Sequence, residues 1–361
     1  MRAQQVLDAG TSIWLDDLSR AKITGADSHS LPSRIATSGV VGVTTNPSIF
    51  SAAISGAAEY SADIAQMKGA SVDEVVKKLT TDDVRQACDL FTQIYTSTKG
   101  VDGRVSIEVD PRLAHDTDGT IAAGKELWAI IDRPNVMIKV PATIEGLPAI
   151  TELVASGISV NVTLIFSVKR YGQVIDAYMQ GIERCANPSA VHSVASFFIS
   201  RIDSSVDALL KKNGTPEAAA LLGKAAIANA HLAYQLFEEK FSSQRWEALS
   251  AKGANKQRPL WASTGVKDPA YPDTQYVIEL IAPETVNTMP QSTLDALIDH
   301  GVVRGNTIAG KYPEAIEVLK GLSSLGISLD QITTDLELDG VKKFAQAWDE
   351  LLENVKAAQQ S

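Results

Sequence analysis

The chain has 361 residues, 45% of them hydrophobic and 21% charged, proportions that exclude a disordered, collagen-like or low-complexity protein. Its 33 Lys and Arg stand against 43 Asp and Glu, a formal charge of −10, the wrong sign for a general binder of nucleic acid or of an anionic membrane. Any phosphate it holds must be met by a few local cations.

Only two cysteines occur, Cys88 and Cys185, in no CxxC pairing. Neither a disulfide framework nor a thiolate zinc site is supported, and a reducing cytoplasm is the expected location. The stretch from Met1 to Leu15 carries Arg2, Gln4, Gln5 and Asp8 where a signal peptide needs an apolar core, and no window reaches about 18 uninterrupted apolar residues.

In chain order, short β-branched runs alternate with longer segments of helical periodicity, as in a parallel sheet with crossover helices. Strands are predicted near Ser12 to Asp16 and Val40 to Asn46. The stretch from Ser55 to Lys99 reads as two or three helices, longer than one crossover needs, and so as an insertion. Further strands are predicted near Arg104 to Val109, Asn135 to Val140, Ile158 to Thr163, Ala190 to Phe198, Pro259 to Thr264 and Thr285 to Met289. Ser292 to His300, Pro313 to Leu322 and Val341 to Ala357 then read as helices. The last carries Phe344, Trp348, Leu351, Leu352 and Val355 on one stripe, the spacing of a packing face. Eight such strands fit a single (β/α)8 barrel of TIM type with additional helices. Residues 1–361 are expected to form one domain, with the insertion at about 55–99 and the C-terminal helices from about 292.

Splitting each strand by parity separates the barrel interior from the helical layer. In Val136-Met137-Ile138-Lys139-Val140 the branched residues share the outer face, which turns Lys139 inward, and Pro141 places it near the strand's C-terminal end, where barrel enzymes keep their active sites. By the same parity Ser106 and Glu108 face inward, as do Asn161 and Thr163, and Asp16; Thr44 and Asn46 share a face. Five strands would project Asp16, Asn46, Glu108, Lys139, Asn161 and Thr163 toward one cavity, far more polar groups than a packed core needs.

One lysine among two carboxylates and several amide or hydroxyl groups points to amine nucleophilic catalysis. Confinement favours the neutral amine, which attacks a ketone to form an iminium, and the iminium is an electron sink. Asp16 and Glu108 could serve as general acid and base, Thr163 could position a water, and Asn46 and Asn161 could hydrogen-bond substrate hydroxyls. Carbon–carbon cleavage of a sugar phosphate needs these parts.

The same residues carry a family resemblance. Asp16 ending the first strand, Thr44-Thr45-Asn46-Pro47-Ser48, Val105-Ser106-Ile107-Glu108-Val109-Asp110, Ile138-Lys139-Val140-Pro141-Ala142-Thr143, Asn161-Val162-Thr163-Leu164-Ile165-Phe166-Ser167 and Ala195-Ser196-Phe197-Phe198-Ile199-Ser200-Arg201 occur in the order of a transaldolase. The sequence resembles that family, the class I aldolase-type transferases of the pentose phosphate pathway, through most of the barrel. The resemblance implies that Lys139 forms the Schiff base, that Asp16 takes the C4 hydroxyl proton, and that Glu108 with Thr163 holds the catalytic water. It further implies that Asn46 and Asn161 hold the dihydroxyacetone unit, and that Ser196 and Arg201 bind the substrate phosphate. No cofactor or metal is implied; the partners implied are small-molecule sugar phosphates.

One position departs from the pattern. The family often has a second phosphate-binding arginine after the seventh strand, where this chain reads Trp261-Ala262-Ser263-Thr264-Gly265-Val266-Lys267. Lys267 with Ser263 is the candidate substitute, although Lys267, followed by Asp268 and Pro269, also reads as an ordinary loop lysine, and an ammonium does not reproduce a bidentate guanidinium. At Phe198 the similar fructose 6-phosphate aldolases carry tyrosine, so phenylalanine favours transfer over plain aldol cleavage.

Two alternatives stay open: a lyase of the same Schiff-base type, and a catalytically silent sugar-phosphate-binding barrel. Gly119 to Lys125 spells most of a P-loop, but Glu126 stands where Ser or Thr should bind magnesium, and the segment reads as helix. The histidines show no paired metal spacing. Trp14 and Trp261 read as cavity lining or core alike, and a barrel's outer helices leave room for a homo-oligomer.

Overall fold

The computed structural model describes residues 1–25 and 28–360. Eight strands close into an all-parallel barrel in sequence order, β1 through β8: Thr11–Asp16, Val40–Thr44, Arg104–Glu108, Val136–Pro141, Val160–Ile165, Ser193–Phe198, Gln257–Ala262 and Thr285–Met289. Helices lie between the strands, so the fold is the expected (β/α)8 barrel with additional helices.

The strand ends shift from expectation for local reasons. β2 stops at Thr44 because Asn46 caps the Pro47–Ile54 helix, its Oδ1 accepting from the Ile49 amide at 3.0 Å. β6 starts at Ser193 because Pro188–Ala190 forms a 3-10 turn. β7 begins earlier than expected, at Gln257, and runs through Pro259. β5 extends to Ile165 through Leu164, whose φ of 61° is left-handed, and the β5–β6 register shifts between Val162 and Ile165. A bulge of this kind re-aims side chains at a barrel rim.

Inside the barrel, Trp14 and Gly42 are neighbours in register. A Cβ at Gly42 would lie 2.6 Å from the Trp14 indole, so glycine is what lets this fully buried ring fill the lumen below the site. Trp261 is also fully buried, edge-on to Phe197. Both tryptophans are core.

The stretch read as an insertion holds three helices, Ala58–Gln66, Val72–Leu90 and Thr92–Ser97; the longest packs on β3 and on the next crossover helix, Thr117–Ile131. The near P-loop lies within that Thr117–Ile131 helix. The last element differs most from expectation. It is one helix, Leu329–Gln360, which crosses against the Pro47–Ile54, Val72–Leu90 and Ser200–Asn213 helices and the end of β5. Gly340 allows this crossing, since a Cβ there would be 3.1 Å from Leu164. Among the described residues no helix is long and apolar enough to cross a membrane.

Candidate active site

The register of three neighbouring strands sets the centre of the site. Glu108 on β3 pairs with Lys139 on β4, and Lys139 pairs with Asn161 on β5. Equal parity then turns all three side chains into the lumen at one level. Thr163, two residues beyond Asn161, stands one layer nearer the C-terminal mouth, as does Asp16, which pairs with Thr44.

Lys139 is 4% exposed. Its Nζ donates to the Thr45 carbonyl at 3.0 Å, lies 3.5 Å from Glu108 Oε2, and sits 5.4 Å from the centre of the Phe344 ring. Burial pushes Glu108 up to about 7, against the pull of the Lys139 charge. Burial also raises Asp16, opposed first by Lys139 and then by the Thr44 hydroxyl, which donates at 2.6 Å. Thr44 and Thr288 hydroxyls are 2.6 Å apart, which fixes the Asp16 partner from behind. Both carboxyls therefore hold their protons more tightly than ordinary carboxylates, and Glu108 can exchange its proton near neutral pH.

The Asn161 amide is held on both sides, donating to Ser106 Oγ at 3.0 Å and accepting from Ser196 Oγ at 2.7 Å. Ser196 thus spends its proton on orienting Asn161. The capping bond of Asn46 occupies its oxygen and leaves its NH2 for the cavity. Thr163 Oγ1 is buried without a hydrogen-bond partner, and Glu108 Oε2 has only the Lys139 ammonium at 3.5 Å; such an orphan oxygen in a cavity is open to a ligand or water.

A cavity of about 260 Å³ gathers most of these groups: Asp16, Asn46, Lys139, Thr163 and Ser196 line its depth. Phe198, Arg201, Ser263 and Lys267 line it as well. Arg201 stands in the first turn of the Ser200–Asn213 helix, its guanidinium 5.4 Å from the Phe198 ring centre and its buried Nη1 unpartnered. Burial lowers its proton affinity. A buried guanidinium nitrogen without an anion, at a helix N-terminus, is suited to an oxyanion. Ser263, at φ 55°, closes the end of β7, and its hydroxyl is 2.9 Å from that of Ser200. Lys267 is exposed at the rim, and its charge reaches Asp16.

Every catalytic or substrate-binding residue predicted from the sequence therefore lines this cavity, except Glu108, whose Oε2 stands 3.5 Å from Lys139 Nζ, and Asn161, which bonds to Ser196. Sequence reasoning missed Phe344. The heptad-like stripe holding it was read as packing, but the C-terminal helix brings its ring over Lys139. It also missed Thr288, whose polar character in an inward position of β8 was the available signal. Among the described residues no group of three or more His, Cys, Asp or Glu side chains gathers as a metal-binding set.

The model of the transaldolase/fructose-6-phosphate aldolase family matches residues 13–355, nearly the whole barrel and the closing helix. The chain belongs to that family. Among its relatives, "Transaldolase 1" of Streptomyces avermitilis is 57% identical over 358 residues, covering 98% of this chain and 94% of the relative. The transaldolases of Renibacterium salmoninarum and Mycolicibacterium smegmatis are 58% and 56% identical, covering 97% and 96% of this chain and 94% of each relative. This transaldolase-family chain matches relatives that extend through the C-terminal helix, so the helix roofing Lys139 belongs to the matched region.

Proposed function

We propose that the protein is a transaldolase, moving a dihydroxyacetone unit from sedoheptulose 7-phosphate to glyceraldehyde 3-phosphate to give erythrose 4-phosphate and fructose 6-phosphate. The observation that carries this reading is the buried Lys139 ammonium 3.5 Å from Glu108 at the C-terminal mouth of the barrel. Attack on the ketose carbonyl needs the free amine, and a carboxylate whose own proton affinity lies near neutrality is placed to take the ammonium's proton. Loss of water from the carbinolamine gives the iminium, with that water held between Glu108 and the Thr163 hydroxyl.

Asp16 then removes the C4 hydroxyl proton. The C3–C4 bond breaks, its electron pair moves to the iminium nitrogen as an enamine, and the aldehyde leaves. The acceptor aldehyde reverses these steps: the new carbon–carbon bond forms, Asp16 returns its proton to the new hydroxyl, and water releases the product ketose. Asn46 and Asn161 hold the retained hydroxyls, Ser196 orients Asn161, and Arg201 takes the phosphate with Ser263 and Lys267 around it. At Phe198 there is a ring and no hydroxyl to hold a water against the intermediate, which favours transfer over a lyase. The reading places the protein in the cytoplasm and in the non-oxidative pentose phosphate pathway.

Incubation with fructose 6-phosphate and borohydride, followed by peptide mapping, tests it. The expected result is a reduced three-carbon or six-carbon adduct on Lys139, absent from Lys139→Ala, and formation of sedoheptulose 7-phosphate once erythrose 4-phosphate is added. Free dihydroxyacetone released without an acceptor would make the enzyme a lyase; an adduct on another lysine would overturn the site.

A further inference from the structure

Beside the substrate cavity lies a second chamber of about 220 Å³, set among the Pro47–Ile54, Val72–Leu90 and Thr117–Ile131 helices. Glu108 lines it, whereas Lys139 lines the substrate cavity, and Asn46 borders both. The C-terminal helix roofs the two together: Phe344 faces the lysine side and Trp348, four residues on, faces the second chamber. The chamber walls are largely apolar, with Phe50, Ile107 and Leu127 among them, yet Trp348 Nε1 is buried on a chamber-lining residue without a hydrogen-bond partner, and Glu108 Oε2 makes no contact closer than the Lys139 ammonium at 3.5 Å. At its outer end stand Lys77 and Glu126, paired at 2.7 Å, and Asp73, paired with Arg112 at 2.6 Å.

We propose that this chamber is the solvent and proton port of Glu108, and that Trp348 is a positioning residue acting through it. The inference rests on the reading of Glu108 given above. A chamber of this size admits several waters, and water persists where two or more polar groups can hold it. An indole N–H and a carboxyl oxygen supply those partners at the inner end. With a ketose filling the substrate cavity under Phe344, the proton that Glu108 takes from the Lys139 ammonium passes to a chamber water. That water gives one of its own protons to the next and so to solvent. When the iminium is hydrolysed, a proton returns along the same file; nothing is consumed. The apolar walls keep the file narrow, so the enamine is not flooded.

Charged groups around Glu108 come from several elements: Lys139 and Asp16 from the barrel, Asp110 just beyond its own strand, and Asp73, Lys77 and Glu126 from the two helices. None of the variants below alters them. Ala123, on the Thr117–Ile131 helix, lines the chamber, and Ala123→Leu narrows it. Trp348→Phe keeps an aromatic ring and deletes the N–H. Expected for Ala123→Leu is a fall in kcat of about tenfold, with KM for fructose 6-phosphate within about twofold, and a kcat–pH profile whose acid limb moves upward as the carboxylate loses hydration. Trp348→Phe shows the same pattern at about threefold, and carries the test alone should Ala123→Leu fail to fold. Folded variants that keep the parent's kcat and pH limb, or that raise KM with kcat unchanged, overturn the port. Glu108→Gln separates the two ideas: if it abolishes turnover while the chamber variants match the parent, only the port fails; if it too matches the parent, the reading of Glu108 fails.

Discussion

At the N-terminal end of the strands, Asp102 accepts from Ser12 at 2.8 Å, from the Trp14 indole at 3.3 Å and from Arg258 at 3.0 Å. Arg104, fully buried, donates to the carbonyls of Gly100 and Pro134 and leaves one nitrogen over. At the C-terminal end Thr163 Oγ1 and Arg201 Nη1 are buried and unpartnered, and Glu108 Oε2 has only the Lys139 ammonium, 3.5 Å away. Both ends are polar interiors of one barrel with unpartnered buried atoms, Arg104 Nη2 and Gln257 Oε1 at one and Thr163 Oγ1 and Arg201 Nη1 at the other; what differs is that Asp102 and Arg258 neutralise each other at 3.0 Å, whereas among the described residues Arg201 has no carboxylate in ion-pair contact. Polarity inside a barrel thus does not mark a site by itself; where a carboxylate and a guanidinium pair, the same residue types make a floor.

Glu108→Gln breaks this contrast at its most sensitive point. The substitution keeps the shape and removes the proton acceptor, so kcat is expected to fall by about 10²–10⁴-fold, with little change in KM. In the parent, burial holds Glu108 near about 7, so the accepting carboxylate forms as pH rises through that value, and kcat rises with it; the variant's residual rate lacks this limb. Stability supplies a second reading. A carboxyl raised above its ordinary value binds its proton more tightly folded than unfolded, so its contribution is fully present at low pH and is lost as pH rises through about 7. The Tm of Glu108→Gln relative to the parent should therefore increase from pH 5 to pH 8, by about 2 °C. A gap that stays constant would place Glu108 in an environment that does not shift it.

The C-terminal end was legible in the sequence because strand parity is strict. Val136, Ile138 and Val140 on one face leave Lys139 no direction but inward, and the same reasoning reached Glu108, Asn161, Thr163 and Asp16. Parity could not report satisfaction. It cannot tell that Ser196 gives its proton to Asn161, or that Asn46 caps a helix while facing the cavity, because those depend on which strand lies next to which and in what register. The roof was hidden for a different reason. A stripe at Phe344, Trp348 and Leu351 has the same spacing whether it covers a core or a cavity, and only the path of the Leu329–Gln360 helix over the barrel mouth decides. The strand limits that shifted, at β2 and β6, did so where a cap or a 3-10 turn competes with extension.

Within the open end, the two cations grade the comparison further. Arg201 is held by the Phe198 ring with a buried free nitrogen, whereas Lys267 is exposed. Arg201→Ala is expected to raise KM for fructose 6-phosphate by about 10²-fold, the loss of a charge-assisted contact to a phosphate. Lys267→Ala should raise it by only about threefold, since an exposed ammonium gains little over solvent, and Lys267→Arg should restore the parent value. Steady-state kinetics on the three variants decides the order; equal losses at both positions would mean that Lys267 closes onto the phosphate when substrate binds.

The smallest effect on catalysis belongs to the paired end, and there the prediction is about folding. Asp102→Asn keeps one of the two acceptor oxygens, turns the other into an NH2 and removes the charge that faces Arg258, whose side chain is 12% exposed, as that of Asp102 is 14%. An uncompensated, mostly buried guanidinium costs about 3–5 kcal/mol, so Tm should drop by about 5 °C or more. Arg258→Met, which takes away the other charge, should lower Tm less in the Asp102→Asn background than in the parent, because the two losses share one interaction. Throughout, kcat and KM at 25 °C should stay within about twofold of the parent, since the Trp14 and Gly42 layer separates this network from Lys139. A loss of kcat in a folded Asp102→Asn protein would show that the floor also sets the geometry of the mouth, and the two ends would then have to be treated as one polar network divided by a single aromatic layer.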